Sequence, residues 1–275
     1  MAAPIRLVVF DMAGTIVDHG SVAPVAALVA AFRELGLELS TKEARGPMGL
    51  PKRDHIAEVL RFPSMSSRWK QAFGREPTSA DGDAIYERFL PLQDAEAQAR
   101  VELVPGALKC LAALRERKIA IGTTTGYPRS IGQPIAERVA AQGFVVDFSL
   151  FPDDVKAGRP APWMIFRLME LTGVYPASAV VKVGDTVPDI EEGRNAGVWT
   201  VGVTETGSEV GLTLAEWQAT AAPERKRLAA AAGEKLTGAG AHAVIDSVGE
   251  LPALIDELEK IEGSTVGLTP DARRA

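Results

Sequence analysis

Leu7-Val8-Val9-Phe10-Asp11-Met12-Ala13-Gly14-Thr15 is the stretch on which the fold turns. Four consecutive apolar residues suit a strand covered on both faces, because a strand with one wet face alternates apolar and polar positions. The run stops at a carboxylate followed by small residues and glycine, the material of a tight turn whose N–H groups can gather round an anion. Short β-branched runs recur at Ile5–Phe10, Ile119–Gly122, Val180–Val183 and Trp199–Val203, with a weaker one at Ala243–Ile245. Amphipathic helical stretches separate them. This alternation predicts an α/β fold with a doubly wound parallel sheet. Such sheets bind ligands beyond the carboxyl ends of their strands, which draws attention to Asp11, Thr123–Tyr127 and Gly184-Asp185.

The rhythm breaks from about Gly20 to Arg100, where the helix-like segments Val22–Gly36, Lys52–Leu60, Ser66–Phe73 and Ala80–Ala99 follow one another without a strand. A helical insert placed after the first strand sits above the carboxyl edge of the sheet and can close over it. The expected organisation is an α/β core of residues 1–19 and 101–262, a small helical cap domain of residues 20–100, and a flexible C-terminal tail over 263–275. Across the 275 residues, 30 Lys and Arg against 36 Asp and Glu leave a formal charge of −6, with the basic residues scattered; nucleic acid is not the expected partner. Cys110 is the one cysteine, so no intrachain disulfide forms and a reducing compartment is expected. The apolar run before Asp11 has no cleavage-site pattern, and no stretch of about 18 apolar residues follows. A cytoplasmic protein without membrane contact is expected.

Asp11 at a strand end can face a phosphorus atom while loop N–H groups receive its oxygens. Asp185, brought beside it across a parallel sheet, supplies a second hard oxygen, a pairing that suits Mg²⁺ completed by substrate phosphate and water. The same cluster also reads as a helix start, with Asp185 or Thr186 as N-cap before Pro188 and Asp189 in the first turn. No Cys/His cluster supports zinc. Thr123-Thr124-Thr125-Gly126-Tyr127 and Gly158-Arg159-Pro160 offer hydroxyls, loop N–H groups and a guanidinium, the groups a phosphoryl transfer requires; purely structural turns use them too.

Within the helical interval, Pro51 is suited to the first helical position and Lys52 to the first turn. The positive end of the helix dipole and desolvation under a closed cap both push that lysine toward the neutral amine, which can attack an aldehyde. His55 falls three residues on, on the same face, as its acid/base partner. A solvated Lys-x-x-His pair on a helix surface is the alternative. An aspartate nucleophile and an imine-forming lysine together solve one chemical problem. Breaking a carbon–phosphorus bond expels a carbanion, and an iminium on the neighbouring carbon receives that electron pair as an enamine.

In sequence order, Asp11–Thr15, Thr125, Arg159 and Gly184–Asp189 resemble the four motifs of the haloacid dehalogenase superfamily. Ala13 stands where its phosphatases and mutases usually carry a second Asp as acid/base for an alcohol leaving group. Met48–His55, Thr123–Tyr127, Pro152–Trp163, Val183–Asp189 and Gly193–Gly202 are similar to the phosphonatase branch, and the likeness runs from Val9 to about His242. It implies hydrolysis of 2-phosphonoacetaldehyde to acetaldehyde and phosphate, in 2-aminoethylphosphonate degradation. By the same resemblance Asp11 is nucleophile and metal ligand, Ala13 (through its carbonyl) and Asp185 bind Mg²⁺, and Asp189 supports that site. Thr125, Gly126 and Arg159 would bind phosphoryl oxygens, Lys52 would form the imine, His55 would move protons, and Met48 and Tyr127 would line the substrate site. A homodimer joined through the caps is implied, with Trp69, Phe73 or Phe62 either on that surface or in the core. Met12, Ser21 and Pro51 depart from the family pattern. A Mg-dependent phosphomonoesterase or phosphomutase, and a noncatalytic phosphate-binding protein, are the alternatives.

Overall fold

A computed structural model describes residues 4–264 of the protein. In chain order its elements are β1 (Leu7–Phe10), α1 (Val22–Arg33), α2 (Thr41–Arg45), α3 (Lys52–Arg61), α4 (Pro63–Phe73), α5 (Ser79–Ala99), α6 (Ala107–Glu116), β2 (Ala120–Thr124), α7 (Arg129–Ala141) and β3 (Phe148–Leu150). There follow α8 (Trp163–Thr172), β4 (Val180–Gly184), α9 (Val187–Ala196), β5 (Trp199–Val203), α10 (Leu214–Ala219), α11 (Ala222–Gly238), β6 (Ala243–Ile245) and α12 (Leu251–Ser264). The six strands form one sheet in the order β3-β2-β1-β4-β5-β6, with every neighbouring pair parallel.

All four residues of β1 are buried, which is why the run is apolar without alternation. Leu7 and Val9 belong to one cluster with Met164, Ile165 and Leu168 of α8. Val8 and Phe10 belong to the other, with Leu111 of α6, Ile131 and Ile135 of α7, and Ile255 of α12. The sheet is thus sandwiched between two helical layers, the doubly wound arrangement expected. β3 was not expected: three residues at a sheet edge, one of them the exposed Phe148, leave no apolar run to read.

Helices α1 to α5 enclose an apolar cluster of their own, built on Leu28, Phe32, Ile56, Val59, Met65, Ile85 and Phe89. Trp69 sits in this cluster, 3% exposed, and Phe62 packs against it; of the three aromatics considered for a dimer surface, Phe73 is the exposed one. Two details of the interval differ from the expectation. α2 is an additional helix, started by a capping box in which Glu43 N–H donates to Ser40 Oγ (3.2 Å) and Ser40 N–H to Glu43 Oε2 (3.0 Å). Pro51 is the N-cap of α3, with ψ at 139°, so Lys52 is the first helical residue. At the other end of the chain α12 continues to Ser264, so Gly263 and Ser264 are helical where a tail was expected; the rest of that stretch lies outside the described residues. No helix among the described residues is long and apolar enough to cross a membrane.

The cap rests directly on the carboxyl edge of the sheet. Gly49 has φ +89°, and a Cβ there would lie 2.2 Å from Thr186 Oγ1; one on Gly126 would lie 2.9 Å from Leu50 O. Only side-chain-free backbone allows the Gly46–Pro51 loop to approach the core turns this closely. Phe89→Ala, which empties the centre of the cap cluster, is expected to lower the unfolding free energy by about 3–5 kcal/mol in urea titration, whereas Phe73→Ala changes it by about 0.5 kcal/mol or less.

Candidate active site

Parallel pairing of β1 with β4 sets Phe10 opposite Val183, and Asp11 N–H donates to Val183 O at 2.8 Å. The residues that leave these two strands, Asp11 and Asp185, therefore emerge side by side at the centre of the sheet. Asp185 accepts from Thr15 Oγ1 (3.1 Å) and from Ser208 N–H (2.7 Å). Gly14 is left-handed, and a Cβ on it would lie 2.4 Å from Asp185 Oδ2, so this position requires glycine. Thr186 is the N-cap of α9, and its N–H donates to Asp189 Oδ2 at 3.2 Å; the helix-start reading and the acidic-site reading both hold. Carboxylate oxygens of Asp11, Asp185 and Asp189 lie within 4.8 Å of one another, and all three residues are buried. Burial first, and the neighbouring carboxylates second, push the Asp11 and Asp185 carboxyls above their ordinary range. A cluster of hard oxygen donors with uncompensated negative charge fits a hard divalent cation.

Arg159 is tied into the acidic floor of the site. Its Nη1 lies 2.8 Å from Asp11 Oδ1 and 2.8 Å from Asp189 Oδ1, its Nε 3.2 Å from Glu192 Oε2. Its Nη2 donates to Thr124 O (2.7 Å) and Thr124 Oγ1 (2.8 Å). Nε and Nη2 are thus spent on Glu192 and Thr124, while Nη1 is the end of the guanidinium that meets the nucleophile candidate. Lys182, wholly buried inside β4, lies 2.9 Å from Asp189 Oδ1 and 3.2 Å from Glu192 Oε2. Burial opposes ionisation of Asp189, but Arg159 and Lys182 outweigh it and hold that carboxyl below its usual value.

Above this floor lies a small cavity that leaves about 20 Å³ for the centres of water molecules. Core and cap share its wall: Asp11, Ala13, Thr125, Gly126, Tyr127 and Arg159 from below, and Met48, Gly49 and Lys52 from above, with Ser21 and Thr186 at the side. Lys52 is 7% exposed, and its Nζ stands 5.4 Å from the centre of the Tyr127 ring. Burial lowers its pKa from 10.5 to about 8, against the charge of Asp11, which raises it. Burial also pushes the Tyr127 phenol well above 10. Thr125 Oγ1 accepts from Tyr127 N–H at 3.2 Å, and Met48 joins the cap cluster while facing the cavity.

His55 is the residue that the structure does not bring to the cavity wall. Its Nε2 donates to Ala44 O at 2.8 Å, which leaves the lone pair on Nδ1, buried and without a partner among the described residues. Burial, then the charge of Lys52, drive its pKa down to about 3, so the ring is neutral. The i to i+3 spacing does place it beside Lys52, but the ring turns into the cap. Three residues that build the site were not singled out from the sequence: Lys182 and Glu192 in the ion network, and Ser208. A charged residue inside the apolar run Val180–Val183 was the available signal for Lys182, and Glu192 follows Asp189 at helical spacing.

Residues 5–197 match the haloacid dehalogenase-like hydrolase family, and residues 156–251 match a second, related hydrolase profile. The class is therefore plain: the chain is a hydrolase of the haloacid dehalogenase-like family. Two curated relatives named phosphonoacetaldehyde hydrolase narrow it further. That from Bacillus cereus is 41% identical over 258 residues, covering 94% of this chain and 98% of the relative. That from Paraburkholderia xenovorans is 43% identical over 255 residues, covering 93% and 96%. A solved structure of a phosphonoacetaldehyde hydrolase-like protein from Oleispira antarctica superposes with a TM-score of 0.93 at 36% identity, across 95% of each chain. The chain belongs to the phosphonoacetaldehyde hydrolase family.

The depressed basicity of Lys52 has a direct readout. The chemical shift of its Cε, followed by NMR in protein made with labelled lysine, is expected to titrate with a midpoint of about 8.

Proposed function

We propose that the protein hydrolyses the carbon–phosphorus bond of 2-phosphonoacetaldehyde, giving acetaldehyde and phosphate, and that it does so with two covalent groups, Lys52 and Asp11. The observation that carries this reading is the shared cavity: a lysine of lowered basicity from the cap and a carboxylate from the sheet edge face the same small space. Lys52 Nζ adds to the aldehyde carbon, and loss of water leaves an iminium. Asp11 then forms a bond to phosphorus as the carbon–phosphorus bond breaks, and that electron pair settles into the enamine. A proton on carbon and one water return acetaldehyde and the free amine; a second water releases phosphate from the aspartyl-phosphate. Enamine chemistry needs no acid for an alkoxide leaving group, which is consistent with Ala13 two residues after the nucleophile.

Arg159 orients Asp11 through Nη1, and phosphoryl binding by the guanidinium requires that this ion pair be shared or exchanged. Thr125 and Gly126 bind the phosphoryl oxygens through hydroxyl and N–H, and Tyr127 and Met48 bound the aldehyde end; His55, held on Ala44 O inside the cap, backs the Lys52 turn from behind and does not enter the cavity. Asp11, Asp185 and the Ala13 carbonyl, with Asp189 in support, would hold Mg²⁺, which when bound would supply the charge neutralisation that lets a carboxylate approach a phosphonate dianion. We further propose a cytoplasmic homodimer in 2-aminoethylphosphonate degradation, with small phosphonates rather than nucleic acid as its ligands; the buried free thiol of Cys110 suits a reducing compartment.

Lys52→Arg keeps the positive charge but cannot form an imine. Its release of acetaldehyde from phosphonoacetaldehyde is expected to fall below about a thousandth of wild type. Near-wild-type turnover by the arginine variant, or faster hydrolysis of sugar phosphates than of the phosphonate by the wild type, contradicts the proposal and favours a phosphomonoesterase.

A further inference from the structure

The segment after β5, Thr204–Leu212, is neither strand nor helix through most of its length, yet it touches three separate parts of the molecule. Toward the sheet edge, Ser208 N–H donates to Asp185 Oδ2 at 2.7 Å, and Thr206 Oγ1 donates to Gly14 O at 2.6 Å. Gly207 packs so close that a Cβ there would lie 2.8 Å from Asp185 Cβ. Toward the connection that leads into the cap, Gly20 N–H donates to Thr206 O at 2.7 Å, and His19 Nδ1 lies 2.8 Å from Leu212 O. Toward the cap itself, a single side chain makes the link. Arg45, the last residue of α2, donates from Nη1 to Ser208 O (3.0 Å), Ser208 Oγ (3.3 Å) and Gly20 O (2.9 Å), and from Nη2 to Gly211 O (3.0 Å).

We propose that Arg45 is a positioning residue that couples closure of the cap to the order of the Asp185 carboxylate, with Ser208 as the intermediary. The inference rests on the reading of Asp185 as a cation ligand. Ser208 offers its N–H to Asp185 on one side of its Cα and its carbonyl to Arg45 on the other, so a force on the carbonyl rotates the donor that orients the carboxylate. A planar guanidinium satisfies three carbonyls in fixed relative positions, which an ammonium on a flexible stem does not. The closed cavity is too small to admit substrate, so turnover requires the cap to lift. When α2 moves away, Gly20 O, Ser208 O and Gly211 O lose their common donor and the segment loses its cross-link. Closure restores it. The cation site is thus completed when the cap seats, and loosens when product leaves. Partners behind a metal ligand fix its orientation in general, and here the partner is in turn held from another part of the chain.

The test is Mn²⁺ binding by the full-length protein, stripped of cations and followed by electron paramagnetic resonance, beside amide hydrogen exchange of residues 204–211. Wild type, Arg45→Ala, Arg45→Lys and Arg53→Ala are compared at a temperature where circular dichroism shows each folded. Arg53, which pairs with exposed Asp83, is the control for loss of a cap arginine. Arg45→Ala is expected to weaken Mn²⁺ binding about tenfold and to speed exchange at 204–211, with Arg45→Lys in between and Arg53→Ala unchanged. A residue that merely docks the cap would lower the melting temperature and leave Mn²⁺ affinity alone. Wild-type affinity in every Arg45 variant that folds overturns the coupling while the cation reading stands. Failure of the wild type to bind Mn²⁺ overturns the cation reading and the coupling with it.

Discussion

Four carboxylates, Asp11, Asp185, Asp189 and Glu192, are buried at one end of the sheet against two buried cations, Arg159 and Lys182. Charges taken out of water are tolerated only when paired, and on this floor the acids outnumber the cations, which is why Asp11 and Asp185 resist ionisation. Arg159 and Lys182 crowd onto Asp189 and Glu192, and Arg159 reaches Asp11 as well, so Asp185 is the carboxylate left with hydrogen bonds alone, from Thr15 and Ser208. The deficit sits where the first and fourth strands deliver their last residues, and it is the reason the site calls for a divalent cation. The same imbalance accounts for the way the nucleophile candidate is held: a carboxylate pinned by an arginine that is itself pinned by two other acids has one orientation available.

The cap answers this floor with a lysine. Burial strips Lys52 of most of its preference for the charged form, and Asp11 restores part of it, leaving a group that exchanges its proton near neutral pH rather than far above it. That balance depends on closure, since an open cap returns the amine to water and to its ordinary basicity. The close backbone contacts at Gly49 and Gly126 show how tightly the lid fits, and the small residual cavity shows that it cannot stay shut through a catalytic cycle. Under the proposed mechanism closure therefore does two things at once: it excludes water from the imine, and it tunes the amine that would form it.

How much of this could be read from the sequence follows from how local each feature is. β1 was legible because a strand with two covered faces is apolar at every position, and the neighbourhood of Asp11 and Asp185 followed from the rule that parallel sheets gather ligands at their carboxyl ends. The lowered basicity of Lys52 was legible from its place under a lid, since burial is its main cause. β3 was not, being three residues at an edge, and α2 was too short to show a period although its Ser40–Glu43 cap was present. The partners of Arg159 come from three other segments, and the bond from Arg45 to Ser208 spans 163 positions; no local pattern encodes such meetings. For His55 the helical spacing put the residue on the right face, but only the folded cap shows that Ala44 claims its ring.

The claim at the centre is that lysine and aspartate act in turn on one molecule: the imine forms first, and phosphorus is transferred second. Borohydride reduction of Asp11→Asn during exposure to phosphonoacetaldehyde, with the modified peptide weighed by mass spectrometry, separates these events. The account requires an adduct on Lys52 that still carries phosphorus in the variant and has lost it in the wild type. An adduct without phosphorus in Asp11→Asn, or trapping at any lysine other than Lys52, contradicts it.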